Sequence, residues 1–119
     1  MKNSDDCIFC KIIKGEIPSE KVYENEFVLG FKDVNPVMPV HILFVPKEHI
    51  ASALDINANN SAYIGKVYEA ISEYAREIGI DNIEENGFRV VNNCGKDGGQ
   101  TVFHIHFHLL AGGKMGIGM

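Results

Sequence analysis

The 119-residue sequence lacks the features that would place it among membrane, secreted or nucleic-acid-binding proteins. No apolar run approaches the ~18–20 residues that a membrane-spanning helix needs. The start, MKNSDDC, is polar and acidic, whereas a signal peptide would carry an apolar segment there. Basic residues are outnumbered, with 11 Lys and Arg against 16 Asp and Glu, so the net charge would repel nucleic acid and anionic membranes. We therefore expect a cytoplasmic protein whose partners are neither nucleic acids nor membranes.

Cysteine is also scarce. The three cysteines are an odd number, and cytoplasmic thiols usually stay reduced, which together argue against a disulfide framework. Two of them, Cys7 and Cys10, form a Cys-x-x-Cys pair. In a reduced compartment this spacing indicates a metal-binding or redox pair, and Cys94 is left as a free thiol.

Hydrophobic residues make up 45% of the chain, which is enough for one domain with a buried core. No repeat or low-complexity tract divides the sequence. We expect a single domain over residues 1–119, with residues 1–6 as a flexible N-terminus and residues 112–119 as a C-terminal tail.

Hydrophobic periodicity predicts two helices and five strands. Apolar residues at helical spacing predict a short helix at 7–14 and a long helix within 60–78, each followed by a glycine that can end it. Runs of branched and aromatic residues predict strands at 21–24, 27–33, 41–46, 87–93 and 102–110. Strands joined by short links are antiparallel, so we expect an α+β domain of about five antiparallel strands, with the two helices packed on one side.

Three of the five histidines fall at alternate positions in FHIHFHLL, residues 103–110. On a strand, His104, His106 and His108 would share one face, while the apolar residues between them would face the core. Alternate residues lie roughly 6–7 Å apart, so one phosphate-sized group could touch the row. A neutral imidazole can act as a nucleophile and a protonated one as a donor. A metal site and a purely structural row remain alternatives.

A glycine-rich loop, CGKDGGQT over residues 94–101, comes directly before the histidines. Glycines let backbone amides approach an anion closely, and successive amides can form an anion-binding concavity. Thr101 adds a hydroxyl donor. A glycine pair alone is more often a simple turn, but beside the histidine row it indicates a phosphate-binding loop.

These residues resemble the histidine triad family, whose signature of His-x-His-x-His followed by apolar residues is matched by residues 104–110. The segments CIFCKIIKGEIPSEKVYENE, HILFVPKEHI and NNCGKDGGQTVFHIHFHLLAGG also look like family segments in family order. The resemblance covers Cys7 to about Met115 and is closest to the nucleotide-binding branch, similar to purine nucleoside phosphoramidases. That branch implies a homodimer, formed through the helix at 61–78 and a strand edge.

The resemblance implies cleavage at the α-phosphate of purine nucleoside phosphoramidates or related nucleotidyl conjugates. His106 would attack the phosphorus and form a covalent nucleotidyl-histidine, while a nearby carbonyl holds its other ring N–H. His108 would bind the phosphate oxygens, with His104 and His41 as supporting catalytic residues. Three alternatives stay open: a dinucleoside polyphosphate hydrolase, a nucleotide-binding regulatory module with little turnover, and a metalloenzyme that uses all three triad histidines as ligands.

The resemblance also implies a purine nucleotide site. Asp33 would accept the ribose hydroxyls with its two oxygens, although it could equally be a turn residue before Asn35 and Pro36. The base would be walled by Ile8, Phe9, Phe31, Val34 and Leu43, any one of which is more simply explained as core. The remaining contacts to phosphate, sugar and leaving group would come from Asn93, Gly99, Gln100, Thr101 and Val102.

A structural zinc ion is a further expectation. Cys7 and Cys10 with His49 and His104 could complete a closed tetrahedral Cys₂His₂ set, and the alternative is a pair of buried thiols beside a loop histidine. In relatives without zinc the first triad histidine joins a relay with His41, so zinc at His104 would leave His41 without a clear role. The branch carries a tryptophan in its C-terminal tail. Because this chain has no tryptophan, the resemblance leaves the leaving-group preference open.

Overall fold

A computed structural model of the chain describes residues 4–116 and contains the predicted number of helices and strands. The helices are α1 (Ile8–Ile13) and α2 (Ser61–Ile78), and short 3₁₀ helices occur at Ser4–Asp6 and Ala53–Asp55. The strands are β1 (Lys21–Glu24), β2 (Val28–Lys32), β3 (Val40–Pro46), β4 (Arg89–Val91) and β5 (Phe107–Ala111). Residues 1–3 of the predicted flexible N-terminus and residues 117–119 of the predicted tail lie outside the described residues.

The five strands form one sheet in the order β1-β2-β3-β5-β4, and every neighbouring pair is antiparallel. The predicted α+β class is therefore confirmed. Asn25 closes the hairpin between β1 and β2, because its side-chain oxygen accepts hydrogen bonds from the amides of Phe27 and Val28. The central strand β3 places Leu43 opposite Phe31 on one side and opposite His108 on the other.

The two helices cover opposite faces of the sheet, which corrects the expectation that both pack on one side. Successive residues of β3 alternate between the two cores: Ile42 and Phe44 pack with the buried face of α2, and Leu43 and Val45 pack with α1. The physical reason lies in the composition of the middle strands. They are apolar at almost every position, so both of their faces need cover.

Helix α2 is amphipathic and packs one apolar face on the sheet. Its buried residues include Val67, Ile71 and Tyr74, and burial of an aliphatic side chain such as Val67 or Ile71 contributes about 1.5–3 kcal/mol. The helix ends at Gly79, as the sequence predicted, because a φ of 80° there turns the chain out of the helix at little steric cost. Within residues 4–116, no helix is both long and apolar enough to cross a membrane.

The last strand begins at Phe107 rather than at Val102 as predicted. Before Phe107 the backbone makes other contacts: the amide of Ile105 donates to the carbonyl of Ile50 at 2.6 Å, and the carbonyl of His106 accepts from the Asn92 side chain at 2.9 Å. The chain therefore carries the first two triad histidines on an irregular segment that runs into β5.

Candidate active site

The three triad histidines keep the predicted alternation, although only His108 lies in a strand. The intervening Ile105 and Phe107 belong to the core beneath α2, whereas the His106 ring lies 5.2 Å from the His108 ring, centre to centre. His104 is 0% exposed and His106 is 6% exposed. A ligand could therefore reach His106 and His108 but not His104, so one phosphate could not touch all three rings.

His106 is held in a single tautomer by the backbone. Its Nδ1 lies 2.8 Å from the carbonyl oxygen of His104. Because a carbonyl only accepts hydrogen bonds, Nδ1 must carry the proton and Nε2 must present a lone pair. No residue between 4 and 116 hydrogen-bonds this Nε2. Burial lowers the pKa of His106 below its ordinary value, which keeps the ring neutral and nucleophilic at pH 7.

His108 is oriented by His41, the fourth histidine of the site. The amide of Val37 donates to Nδ1 of His41 at 3.1 Å, so the proton of a neutral His41 lies on Nε2. That Nε2 is 2.9 Å from Nδ1 of His108, which must then accept. Burial, with His106 and His41 close by, lowers the pKa of His108 to about 4. At pH 7 a neutral His108 thus keeps its proton on Nε2, as a donor.

This arrangement differs from the relay that the resemblance gives for relatives without zinc, in which His41 joins the first triad histidine. On β3, His41 stands opposite Leu110, while Leu43 stands opposite His108. His41 is therefore a diagonal neighbour of His108 and turns its ring to it, with 5.1 Å between the ring centres. His104 turns instead to the cysteine pair, with Nδ1 3.4 Å from Cys7 Sγ and 3.5 Å from Cys10 Sγ.

Asp33 lies at the edge of the same group. Its Oδ2 is 3.3 Å from Nε2 of His41, and its Oδ1 accepts a hydrogen bond from the amide of Asn35 at 2.7 Å. The turn role given as the alternative for Asp33 is thus present. A carboxylate has about four acceptor positions, so two remain for other donors such as ribose hydroxyls.

The glycine-rich loop needs glycine for its shape. Gly95 and Gly99 have φ of 73° and 83°, and a Cβ at Gly98 would lie 2.4 Å from the Cys94 carbonyl oxygen. Gln100 is buried and fastens the loop to the backbone. Its amide nitrogen donates to the carbonyls of Ala51 and Val102, and its oxygen accepts from the amide of Gly95. Its side chain thus serves the loop rather than an outside ligand.

The residues predicted to surround the purine base fall into an exposed group and a buried group. Val34 is 90% exposed and Ile8 is 45% exposed, so both are accessible to a ligand. Phe9, Phe31 and Leu43 are buried in the core under α1, as the simpler explanation for them required. The Phe9 ring nevertheless stands edge-on to the His106 ring at 5.1 Å and fixes its position. A cavity of about 290 Å³ opens beside this wall and is lined by Asp6, Cys7, Ile8, Thr101, Val102 and Phe103.

A second group of side chains brings four metal-ligand atoms together. The ligand atoms of Cys7, Cys10, His49 and His104 lie within 4.8 Å of one another, so the cluster could hold a metal ion. Nδ1 of His104 lies 3.4 Å from Cys7 Sγ and 3.5 Å from Cys10 Sγ, and Nδ1 of His49 lies 3.3 Å from Cys10 Sγ. In a tetrahedral site with Zn–S bonds of ~2.3 Å and Zn–N bonds of ~2.05 Å, sulfur and nitrogen would be about 3.5 Å apart. The observed distances fit that geometry.

The chemistry of the donors also fits a metal ion. Nε2 of His104 donates to the carbonyl of Pro46 at 2.8 Å, which leaves Nδ1 as the atom that can bind a metal. Burial, and next the Cys7 thiol, raise the pKa of Cys10 to about 12. Without a cation this thiol stays protonated, whereas a bound metal ion would stabilise its thiolate.

Two other sets of side chains do not form metal sites. Asp33, His41 and His108 also lie close together, but Val37 occupies the Nδ1 lone pair of His41, so Nε2 carries the proton and cannot bind a metal. The three triad histidines are also not arranged to bind one metal ion together. His104 faces the thiols and Nδ1 of His106 faces a carbonyl, which contradicts the alternative of a metalloenzyme with three triad ligands.

Comparison with known proteins agrees with this geometry. The family model described as the HIT domain matches residues 14–115. The chain belongs to the HIT family. It is 38% identical over 113 residues to the purine nucleoside phosphoramidase of Escherichia coli, covering 95% of this chain and 92% of that protein. The resemblance that the motifs indicated is confirmed.

Solved structures of HIT proteins have the same fold. A histidine triad protein from Clostridium difficile is 52% identical, with a TM-score of 0.88 over 98% of this chain and 97% of that one. A HIT family hydrolase from Legionella pneumophila is 39% identical, with a TM-score of 0.89 over 95% and 98% of the two chains.

Two contacts in this HIT site were not predicted from the sequence. One is the hydrogen bond that the Asn92 side chain donates to the His106 carbonyl. The nucleotide contact predicted for its neighbour Asn93 is a separate matter and stays a prediction. The backbone of Val37, in a proline-bounded loop, fixes the His41 tautomer. Asn92 directly follows β4, and its contact with residue 106 depends on how β4 pairs with β5, which the sequence does not state. Every residue except proline has a backbone N–H, so the sequence does not show which one will bind His41.

Proposed function

We propose that this HIT-family protein is a hydrolase that cleaves purine nucleoside phosphoramidates, or related nucleotidyl conjugates, at the α-phosphate through a covalent nucleotidyl-His106. The observation that carries the proposal is the 2.8 Å contact between Nδ1 of His106 and the His104 carbonyl, which leaves Nε2 as a neutral nucleophile. The named activity of the Escherichia coli relative supports the same reaction class.

In this mechanism two triad nitrogens act on the substrate. Nε2 of His106 attacks the phosphorus, a P–Nε2 bond forms, and the P–N bond to the leaving amine breaks as the amine takes a proton from the solvent. Neutral His108 donates from its own Nε2 to a phosphate oxygen and stabilises the charge on the phosphoryl group. Water then attacks the phosphorus and releases a proton to the solvent, the P–Nε2 bond breaks, and nucleoside monophosphate leaves.

The nucleotide would bind with its phosphate at the glycine-rich loop, its sugar at Asp33 and its base against exposed apolar side chains. The phosphate and leaving-group side would contact Gly99, Thr101 and the Val102 amide, with Gln100 acting indirectly by fastening the loop. Asp33 would accept the ribose hydroxyls and Asn93 would lie near the sugar, while Ile8 and Val34 would contact the purine. The remaining acceptor positions of Asp33 and the exposure of the two apolar side chains support this pose.

We also propose that the metal cluster takes zinc, held by Cys7, Cys10, His49 and His104. Four protein ligands make a closed set, so the ion would be structural and would hold the N-terminal segment and the His49 turn against the triad segment. The fit of the sulfur–nitrogen distances supports zinc.

A cytoplasmic homodimer formed through α2 and an edge strand completes the proposal. Tyr68 on α2 is 48% exposed and β4 is an edge of the sheet, so both offer surface for a second copy. Light scattering should give twice the chain mass of 13.2 kDa. A molar mass equal to that of one chain would reject the dimer.

The test of the reaction is AMP release from adenosine 5′-phosphoramidate by the wild-type protein and by His106→Asn. The variant should lose at least about 10³-fold in kcat, because the nucleophile is gone, while its circular dichroism and unfolding midpoint stay near those of the wild type. Mass spectrometry of quenched wild-type reactions should find protein carrying one AMP. Full activity in His106→Asn would reject the mechanism.

The same assay decides between the remaining alternatives. Faster turnover of dinucleoside polyphosphates than of phosphoramidates would reassign the substrate. Nucleotide affinity without turnover across the panel would make the protein a binding module.

A further inference from the structure

We propose that His41 is a positioning residue that couples ribose recognition at Asp33 to the phosphate donor His108, so that the enzyme discriminates ribonucleotides from 2′-deoxyribonucleotides in kcat. This inference rests on the proposed function, because it assumes that one nucleotide contacts Asp33 with its sugar and the triad with its phosphate. It gives a role to His41, which would have no clear role if zinc binds His104.

The coupling begins with a single proton. The Val37 amide occupies Nδ1 of His41, so Nε2–H is the one donor of the ring. Two acceptors lie within its reach, Nδ1 of His108 at 2.9 Å and Oδ2 of Asp33 at 3.3 Å. His41 is 7% exposed, and its ring lies 5.1 Å from that of His108, so packing confines it between the two acceptors.

His108 and Asp33 compete for the His41 N–H, and binding of the ribose to Asp33 decides how strongly His108 receives it. In the structure the shorter contact is to His108, at 2.9 Å, but the Asp33 carboxylate at 3.3 Å attracts the same N–H and weakens that hydrogen bond. Ribose hydroxyls that donate to Asp33 compensate its charge. The His41 N–H then donates fully to His108.

The state of His108 matters because a neutral imidazole has only one N–H. When His41 donates to Nδ1 of His108, that N–H must be on Nε2, where it can donate to the phosphate. When an uncompensated Asp33 competes for the His41 N–H, this constraint weakens and His108 can change tautomer. A nucleotide without its 2′-hydroxyl should therefore react more slowly even when the site is saturated.

The experiment measures kcat and KM for adenosine and 2′-deoxyadenosine 5′-phosphoramidate with wild type, His41→Asn and His41→Gln. Asn keeps an acceptor for the Val37 amide but has no donor that reaches His108, whereas Gln places an N–H near the former Nε2 position. Wild type should show about tenfold lower kcat on the deoxy substrate, the size of one good hydrogen bond. His41→Asn should lower kcat for both substrates and remove the kcat difference between them. His41→Gln should restore part of the kcat difference between the two substrates.

Two results would overturn the coupling. One is a wild-type sugar effect confined to KM, and the other is an unchanged kcat ratio in His41→Asn, which is what a merely structural histidine would give. If wild type turns over neither substrate, the proposed reaction fails, and the coupling is read from ¹⁵N NMR of His108 with AMP and 2′-deoxy-AMP. Different His108 shifts that become equal in His41→Asn support the coupling, and equal shifts in wild type reject it.

Discussion

The burial of His108 predicts a specific loss of stability in acid. Burial, helped by His106 and His41, lowers the pKa of His108 to about 4, while in the unfolded chain it returns to about 6.5. Between these values the unfolded state binds a proton that the folded state does not. The free energy of unfolding therefore falls as the pH drops below about 6.5, and the loss is complete near pH 4. At pH 5, about 1.5 pH units below the unfolded pKa, the loss is about 2 kcal/mol at 1.36 kcal/mol per unit.

Urea unfolding at pH 7 and pH 5 measures this loss when wild type is compared with His108→Gln. Glutamine carries no charge at either pH, so the variant keeps every other source of acid sensitivity and lacks only this one. Any packing cost of the substitution is common to both pH values and cancels in the comparison. Between pH 7 and pH 5 the free energy of unfolding should fall by about 2 kcal/mol more for wild type than for the variant. Equal losses would refute the assignment of His108 as a neutral ring held by His41.

Two further predictions concern packing and the metal cluster. Gly30→Ala should destabilise the protein by about 1–3 kcal/mol in urea unfolding, because the new Cβ would lie 2.9 Å from the Phe44 ring. Gly65→Ala, on an open face of α2, should stabilise it by about 1 kcal/mol, and the same sign for both changes would contradict the structure. Cys10→Ser should abolish stoichiometric metal on elemental analysis and slow nucleotidyl-enzyme formation, whereas Cys94→Ser should change neither. Metal retained in Cys10→Ser would exclude the proposed cluster.

The order of elements was predictable because it depends on local patterns. The 3.6-residue period of α2 and the glycine after it predicted the helix and its end, and Gly79 indeed has a φ of 80°. The opposite placement of the helices was also encoded in the sequence. Leu43 and Val45 are as apolar as Ile42 and Phe44, and a strand that is apolar on both faces requires a layer on each. The expectation of one-sided packing gave too little weight to that pattern.

The contacts of the site were less predictable because they depend on strand register. The hydrogen bond from Asn92 to the His106 carbonyl depends on how β4 pairs with β5, which strand periodicity alone does not fix. The partner of His41 depends on its diagonal relation to His108 across two paired strands, which is a property of the folded sheet. The resemblance named the four histidines of the candidate site, but the relay that it gives for relatives without zinc links His41 to the first triad histidine, whereas here His41 contacts His108.

The irregular backbone before β5 has a chemical consequence for the nucleophile. In a regular strand, carbonyls point within the plane of the sheet toward the neighbouring strand, while side chains stand perpendicular to it. Strand pairing that included residues 104–106 would therefore direct the His104 carbonyl away from the His106 ring. Pairing with β3 instead reaches only to Phe107 opposite Phe44, and the freed carbonyl accepts from Nδ1 of His106. The side chain of the same His104 is fixed by the Pro46 carbonyl and lies against both thiols, so the cluster that could hold a metal ion also holds the backbone atom that sets the tautomer of the nucleophile.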